Sequence, residues 1–118
     1  MDSTDLANAK CLPCEDPSMR PLPPSRVGEL MPQVPGWEYD QEKNALFRHY
    51  PFGNFADGLA FVNRVGAIAE QEGHHPDILL TFPAVDITLY THAMHGLSDN
   101  DFILAAKINA LGEPTQSE

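Results

Sequence analysis

Basic residues are scarce in this chain of 118 residues: seven Lys and Arg stand against 17 Asp and Glu, a formal charge of -10. Phosphate backbones are held by clustered Lys and Arg, and no such cluster occurs, which argues against direct nucleic-acid binding. The same shortage argues against docking on an anionic membrane surface. No apolar run approaches the roughly 20 residues needed to span a bilayer. The opening stretch, MDSTDLANAK, lacks the basic region and apolar core of a secretory signal, and the expected location is cytoplasmic. Cysteine is nearly missing as well: Cys11 and Cys14, in KCLPCED, are the only two. A CxxC pair is half of a zinc site or a redox pair. No second CxxC and no strand–helix context of thioredoxin type accompanies it, so the pair is assigned to a flexible tail. GxSxG, Walker, GxGxxG and kinase-type motifs are also lacking, which leaves nucleotide and acyl-transfer chemistry without support.

What is present is enough for one ordinary domain, with 42% hydrophobic residues to build a core. Residues 1–20 read as a flexible N-terminal arm, 21–112 as the folded domain and 113–118 as a C-terminal tail. DPSMRPLPP alone holds four of the eleven prolines. SRVGELMPQV predicts a short helix, with Ser25 as its cap and a stop near Pro32. GWEYD and ALFRHYPF predict two strands around the turn QEKN. NFADGLAFVNRVGAIAEQEG predicts the longest helix, capped by Asn54 and ended by Gly73. Its apolar stripe is read as Phe55, Leu59, Val62 and Ala69, widened by Phe61, Val65 and Ile68. DILLTF and AVDITLYTH predict two more strands. In the second, Val85, Ile87 and Leu89 alternate with Asp86, Thr88 and Tyr90, the pattern of a half-buried antiparallel strand. SDNDFILAAKINAL predicts a final helix, capped by Ser98 with Asp101 at the third position, and with Leu97 stapled to Phe102. The expected fold is α+β: a four-stranded antiparallel sheet with three helices packed on one face.

Four of the five histidines fall between positions 74 and 95. Within EQEGHHPDILL, His74 and His75 follow a helix end, and His92 ends a neighbouring strand. Metal binding needs three or four converging ligands. His74, His75, His92 and Asp101 supply that number, yet no short metal signature is present and metal is the second choice. Acid–base chemistry asks less, because imidazole accepts and donates protons near neutral pH. Glu70 and Asp101 are the carboxylates available to orient an imidazole. Each has a plain rival reading. Asp101 fits a capping box at a helix N-terminus, and Glu70 fits a solvated residue in a last helical turn.

The spaced set Glu70, His74, His75, Pro76, Phe82, His92 and Asp101 resembles the signature of the pterin-4a-carbinolamine dehydratase family. The flanks GLSDNDFILAAKI and GWEYD…ALFRHYPFGNFADGLAFVNRVGAIAE resemble it too, so the likeness runs from about Pro21 to Leu111. It implies the same α+β fold, a homodimer or homotetramer, and a lyase that needs no cofactor and no metal. The implied reaction dehydrates 4a-hydroxytetrahydropterin to quinonoid dihydropterin, a step in tetrahydrobiopterin recycling. Carried over by residue, His74, His75 and His92 handle the 4a-hydroxyl and ring protons, and Asp101 orients them. Glu70 and Thr91 touch the ring, Pro76 belongs to the substrate-binding set, and Trp37 sits near the pocket mouth. Gly73, Ile78 and Tyr90 depart from animal members of the family. The same resemblance carries an alternative without catalysis, a dehydratase-like binding protein. It would act as an assembly factor for RuBisCO in carboxysomes, and so be carboxysome-associated, or as a transcriptional dimerisation cofactor.

Overall fold

The computed structural model describes residues 3–9, 11, 21–91 and 96–111. Its elements run α1 (Ser3–Asn8), α2 (Pro24–Leu30), a 3₁₀ turn (Met31–Gln33), β1 (Glu38–Asp40), β2 (Ala45–Pro51), α3 (Phe55–Glu72), β3 (Asp77–Thr81), β4 (Ala84–Leu89) and α4 (Asp99–Asn109). The strands form one antiparallel sheet in the order β1-β2-β4-β3. The expected α+β architecture is therefore present, with one helix more than the three expected.

The alternation in β4 sets the layers. Val85, Ile87 and Leu89 are buried, while Asp86, Thr88 and Tyr90 are half-buried on the opposite face. Register carries the same division across the sheet, since Leu89 pairs with Leu46 and Val85 with Tyr50, all of them core residues. Against this face pack Phe61, Val65 and Ala69 of α3, Val27 and Leu30 of α2, and most of α4.

Local sequence chemistry fixes the helix ends. Asn54 caps α3 by accepting from the Asp57 amide at 2.8 Å, and its own amide group donates back to the Asp57 carboxylate at 3.1 Å. Gly73 ends α3 in the left-handed region, φ 67°. His74 N then donates to Ala69 O and Gly73 N to Glu70 O, a Schellman motif. At α2 the expected Ser25 cap is not used. Pro23 is the capping residue and a proline occupies the first turn, where its missing N–H leaves no donor unpaired.

Two expectations need correction. The stripe proposed for α3 is rotated, because Phe55 and Leu59 are 48% and 43% exposed and the buried face is Gly58, Phe61, Val65 and Ala69. Both stripes have helical spacing, and Gly58 selects between them. A Cβ there would lie 3.0 Å from Leu80 Cδ1, a contact tight enough that Leu80 would have to give way, so glycine suits this close approach of helix and sheet. The second concerns the arm assigned to residues 1–20. Ser3–Asn8 is helical and lies against α4, with Leu6 buried in the core cluster. Cys11 continues this contact: its amide donates to Glu72 Oε1 at 2.9 Å, and its thiol lies 3.7 Å from Asn100 O. Cys14 and the tail from residue 112 lie outside the described residues.

Gly58 and Gly66 offer a paired test. Replacing Gly58 with Leu forces side-chain volume against Leu80, Val85 and Phe52, and is expected to lower stability by about 1–3 kcal/mol. Nothing lies within 4 Å of a Cβ added at Gly66, so Gly66→Ala is expected to raise stability by up to about 1 kcal/mol through helix propensity. Urea denaturation midpoints of both variants measure the contrast, and equal shifts would remove the close-approach argument.

Candidate functional site

The histidine pair stands where the Schellman motif turns the chain out of α3 and toward β3. This left-handed exit sends the two imidazoles to different surroundings. His74 turns inward, its side chain 2% exposed, and places Nε2 2.6 Å from Oδ1 of Asp101, whose side chain is wholly buried. His75 turns outward, 61% exposed, with Nε2 2.9 Å from Oε2 of Glu70, itself 82% exposed. An ion pair so open to water contributes little to stability.

Asp101 arrives from the other side of the fold, on the first turn of α4. Ser98 and Asp101 close a capping box, in which the Ser98 amide donates to Asp101 Oδ2 at 3.0 Å. The Thr91 hydroxyl donates to the same oxygen at 2.9 Å, and Thr91 and Ser98 hydroxyl oxygens lie 2.6 Å apart. Thr91 is brought there by the strand itself. It shares the inward parity of Val85, Ile87 and Leu89, and it bridges back to Gly96 at the foot of α4. His74, Thr91, Ser98 and Asp101 are all at least 98% buried. A carboxylate removed from water in this way needs its lone pairs occupied, and three donors occupy them. One carboxylate thus has three partners: Oδ2 accepts from the Ser98 amide and the Thr91 hydroxyl, and Oδ1 faces His74 Nε2.

The remaining expected residues are placed less tightly. His92 lies outside the described residues, as does His95. Pro76 is half-buried between His75 and the first residue of β3. Trp37 is not brought to the cluster within one chain. It is buried and its indole donates to Asn109 Oδ1 at 3.0 Å, at the opposite end of α4 from Asp101 and about 12 Å away along the helix axis. Arg48 donates to the same Asn109 oxygen at 2.8 Å, so Arg48 ties the end of α4 to β2 while the indole ties it to the residue before β1. Phe82 lies in the β3–β4 turn, 69% exposed. Among the described residues, no group of three or more His, Cys, Asp or Glu side chains is arranged to hold a metal ion. Likewise no helix among them is long and apolar enough to cross a membrane.

In the sequence Ser98 stands only as a cap, and local pattern does not reveal its hydroxyl contact with Thr91. The inward parity of Thr91 was the available signal that its side chain serves the interior. A cavity of about 340 Å³ was also unforeseen. It is lined by Lys43, Asp77, Thr88 and Tyr90, on the sheet face away from the helices. Asp77 and Thr88 are direct neighbours across β3 and β4, and both lie near the strand ends that carry His75 and Thr91.

Residues 20–111 match the family model described as pterin 4 alpha carbinolamine dehydratase. The chain is 44% identical over 110 residues to pterin-4-alpha-carbinolamine dehydratase 2, mitochondrial, of Arabidopsis thaliana, covering 91% of this chain and 59% of that protein. It is 43% identical over 107 residues to a Halorhodospira halophila protein that carries the same dehydratase name provisionally, covering 91% and 97%. The crystal structure of a transcriptional coactivator/pterin dehydratase from Brucella melitensis superposes with a TM-score of 0.73 at 29% identity, covering 78% of this chain and 98% of that one. A pterin dehydratase-like protein identified as a RuBisCO assembly factor in the alpha-carboxysome superposes with a TM-score of 0.56 at 28% identity, covering 68% and 93%. With its family model matched from residue 20 to residue 111, this chain belongs to the pterin-4-alpha-carbinolamine dehydratase family.

Proposed function

We propose that this protein is a hydro-lyase that dehydrates 4a-hydroxytetrahydropterin to quinonoid dihydropterin and water. One observation carries the reading: a buried imidazole and carboxylate, His74 and Asp101, 2.6 Å apart at the helix-to-strand corner. In the dehydration a proton is delivered to the departing 4a-hydroxyl, the C4a–O bond breaks, and a ring nitrogen gives up its proton as its double bond to C4a forms. Imidazoles suit both transfers because each accepts in one step and donates in the next. His74 and His75, with His92, are the groups assigned to these transfers. Asp101 orients His74, and Glu70 orients His75 at the solvent side.

The likeness to a RuBisCO assembly factor favours a second reading, in which the chain binds a protein client and turnover is dispensable. Under either reading a homo-oligomer is expected, and the reaction calls on no cofactor.

His74→Ala is expected to lower dehydration of 4a-hydroxytetrahydropterin by about 10²–10⁴, the usual contribution of a positioned proton-transfer group. Stopped-flow absorbance of the carbinolamine measures this, and an unaltered rate would leave the assembly reading, for which co-precipitation with RuBisCO is the companion assay. Asp101→Ala is expected to fail in two ways. The rate falls as for His74→Ala, and stability drops by about 1–3 kcal/mol as buried donors lose their acceptor. Thermal unfolding followed by circular dichroism gives the second number, and an unchanged melting temperature would contradict the network described above.

A further inference from the structure

The dehydratase reading assigns tasks to His74 and Asp101 but leaves open what keeps the carboxylate aimed. Asp101 Oδ2 is held by two donors, the Ser98 amide at 3.0 Å and the Thr91 hydroxyl at 2.9 Å. Two donors on one oxygen fix the rotation of the carboxylate, and Oδ1 is thereby directed at His74 Nε2. Read as a carboxylate, Asp101 accepts only, so the directions of all the bonds follow. Thr91 donates to Asp101, and its own oxygen then accepts from the Ser98 hydroxyl, 2.6 Å away. Ser98 Oγ in turn accepts from the Asn100 amide at 3.2 Å. The result is one directed chain of hydroxyls ending on the carboxylate. None of its side chains reaches solvent by more than a few per cent, so water is not at hand to replace a lost donor.

We infer that Thr91 and Ser98 are positioning residues for proton transfer. Through Asp101 they hold His74 as the tautomer whose Nε2–H donates to Asp101 Oδ1. This replaces the role that the family resemblance implied for Thr91, a contact to the pterin ring. The capping box alone does not require the Thr91 hydroxyl, because the Ser98 amide and the Asp101 carboxylate close it without Thr91. The hydroxyl is spent on the carboxylate that faces His74. For catalysis the inference rests on the dehydratase reading, whereas the tautomer itself does not.

The test uses the full chain with ¹⁵N-labelled histidine. Ring-nitrogen spectra report which nitrogen of His74 carries the proton, and steady-state dehydration is measured beside them. The variants are Thr91→Val, which keeps the shape and removes the hydroxyl, Thr91→Ser, which restores it, and Ser98→Gly. Glycine at a helix cap is tolerated nearly as well as serine, so the last variant removes the hydroxyl while sparing the helix start. Thr91→Val is expected to convert the single Nε2–H signal of His74 into a mixture of tautomers. Its kcat should fall about tenfold with KM unchanged, the mark of an interaction used in the transition state. Thr91→Ser should restore both readouts, and Ser98→Gly should show the same change in smaller measure. A raised KM with intact kcat in Thr91→Val would overturn the inference in favour of a substrate contact. So would an unchanged tautomer. If the unaltered chain turned over no carbinolamine, the dehydratase reading would fall, while the tautomer spectra of the variants would still decide whether the hydroxyls position His74.

Discussion

The bond between His74 Nε2 and Asp101 Oδ1, 2.6 Å long and closed to solvent, is the constraint around which the fold is arranged. Taking a carboxylate out of water is expensive, and it persists inside a protein only when partners replace the lost hydration. Here the partners come from three separate parts of the chain: the exit of α3, the end of β4 and the start of α4. None supplies the set alone. A local feature makes each contribution possible. Gly73 turns the chain so that the following residue enters the interior, strand parity turns Thr91 inward, and the capping box presents the Asp101 carboxylate at the head of α4.

The N-terminal segment bears on the same corner from outside. Cys11 contacts Glu72, the last residue of α3, and the carbonyl of Asn100, the neighbour of Asp101. Glu72 also lies 3.9 Å from Lys107, whose ammonium donates to Ala7 O at 2.7 Å. The segment through Cys11 therefore spans the two helices that deliver His74 and Asp101, and Leu6 closes the apolar side of that span. A six-residue helix has little stability of its own. Its formation here is a consequence of α4 having an apolar outer face to cover, which explains why α4 is buried on nearly every side.

That dependence also explains what could be read in advance. The caps at Asn54, Gly73 and Ser98 are local chemistry, and the sequence displays them openly. So does the two-residue alternation of β4, which orients the sheet. The face of α3 is different, because two stripes share the helical period and only the approach of Gly58 to Leu80, across the chain, distinguishes them. Helix α1 was invisible for a related reason, since its cause lies on α4. The family signature names His74, His75 and Asp101, and the fold brings His74 against Asp101, but spacing carries no direction. It could not tell that one imidazole turns in and the other out, nor that Trp37 joins Asn109 at the far end of α4.

The divergence of His74 and His75 gives adjacent histidines a use that a regular element would deny them. On a helix or strand, neighbouring side chains point apart and serve separate faces. At this corner they also point apart, but the separation is between interior and solvent. His74 gains a fixed partner and a dry surrounding, in which a hydrogen bond to a carboxylate holds the ring in one orientation. His75, paired with an exposed Glu70, is open to water. The proposed dehydration has the same asymmetry: one proton transfer must be placed accurately at the substrate, and another proton must eventually be passed to solvent. Under that proposal, a buried and an exposed imidazole on consecutive residues meet the two demands in different environments, and Gly73 in the left-handed region sets the division.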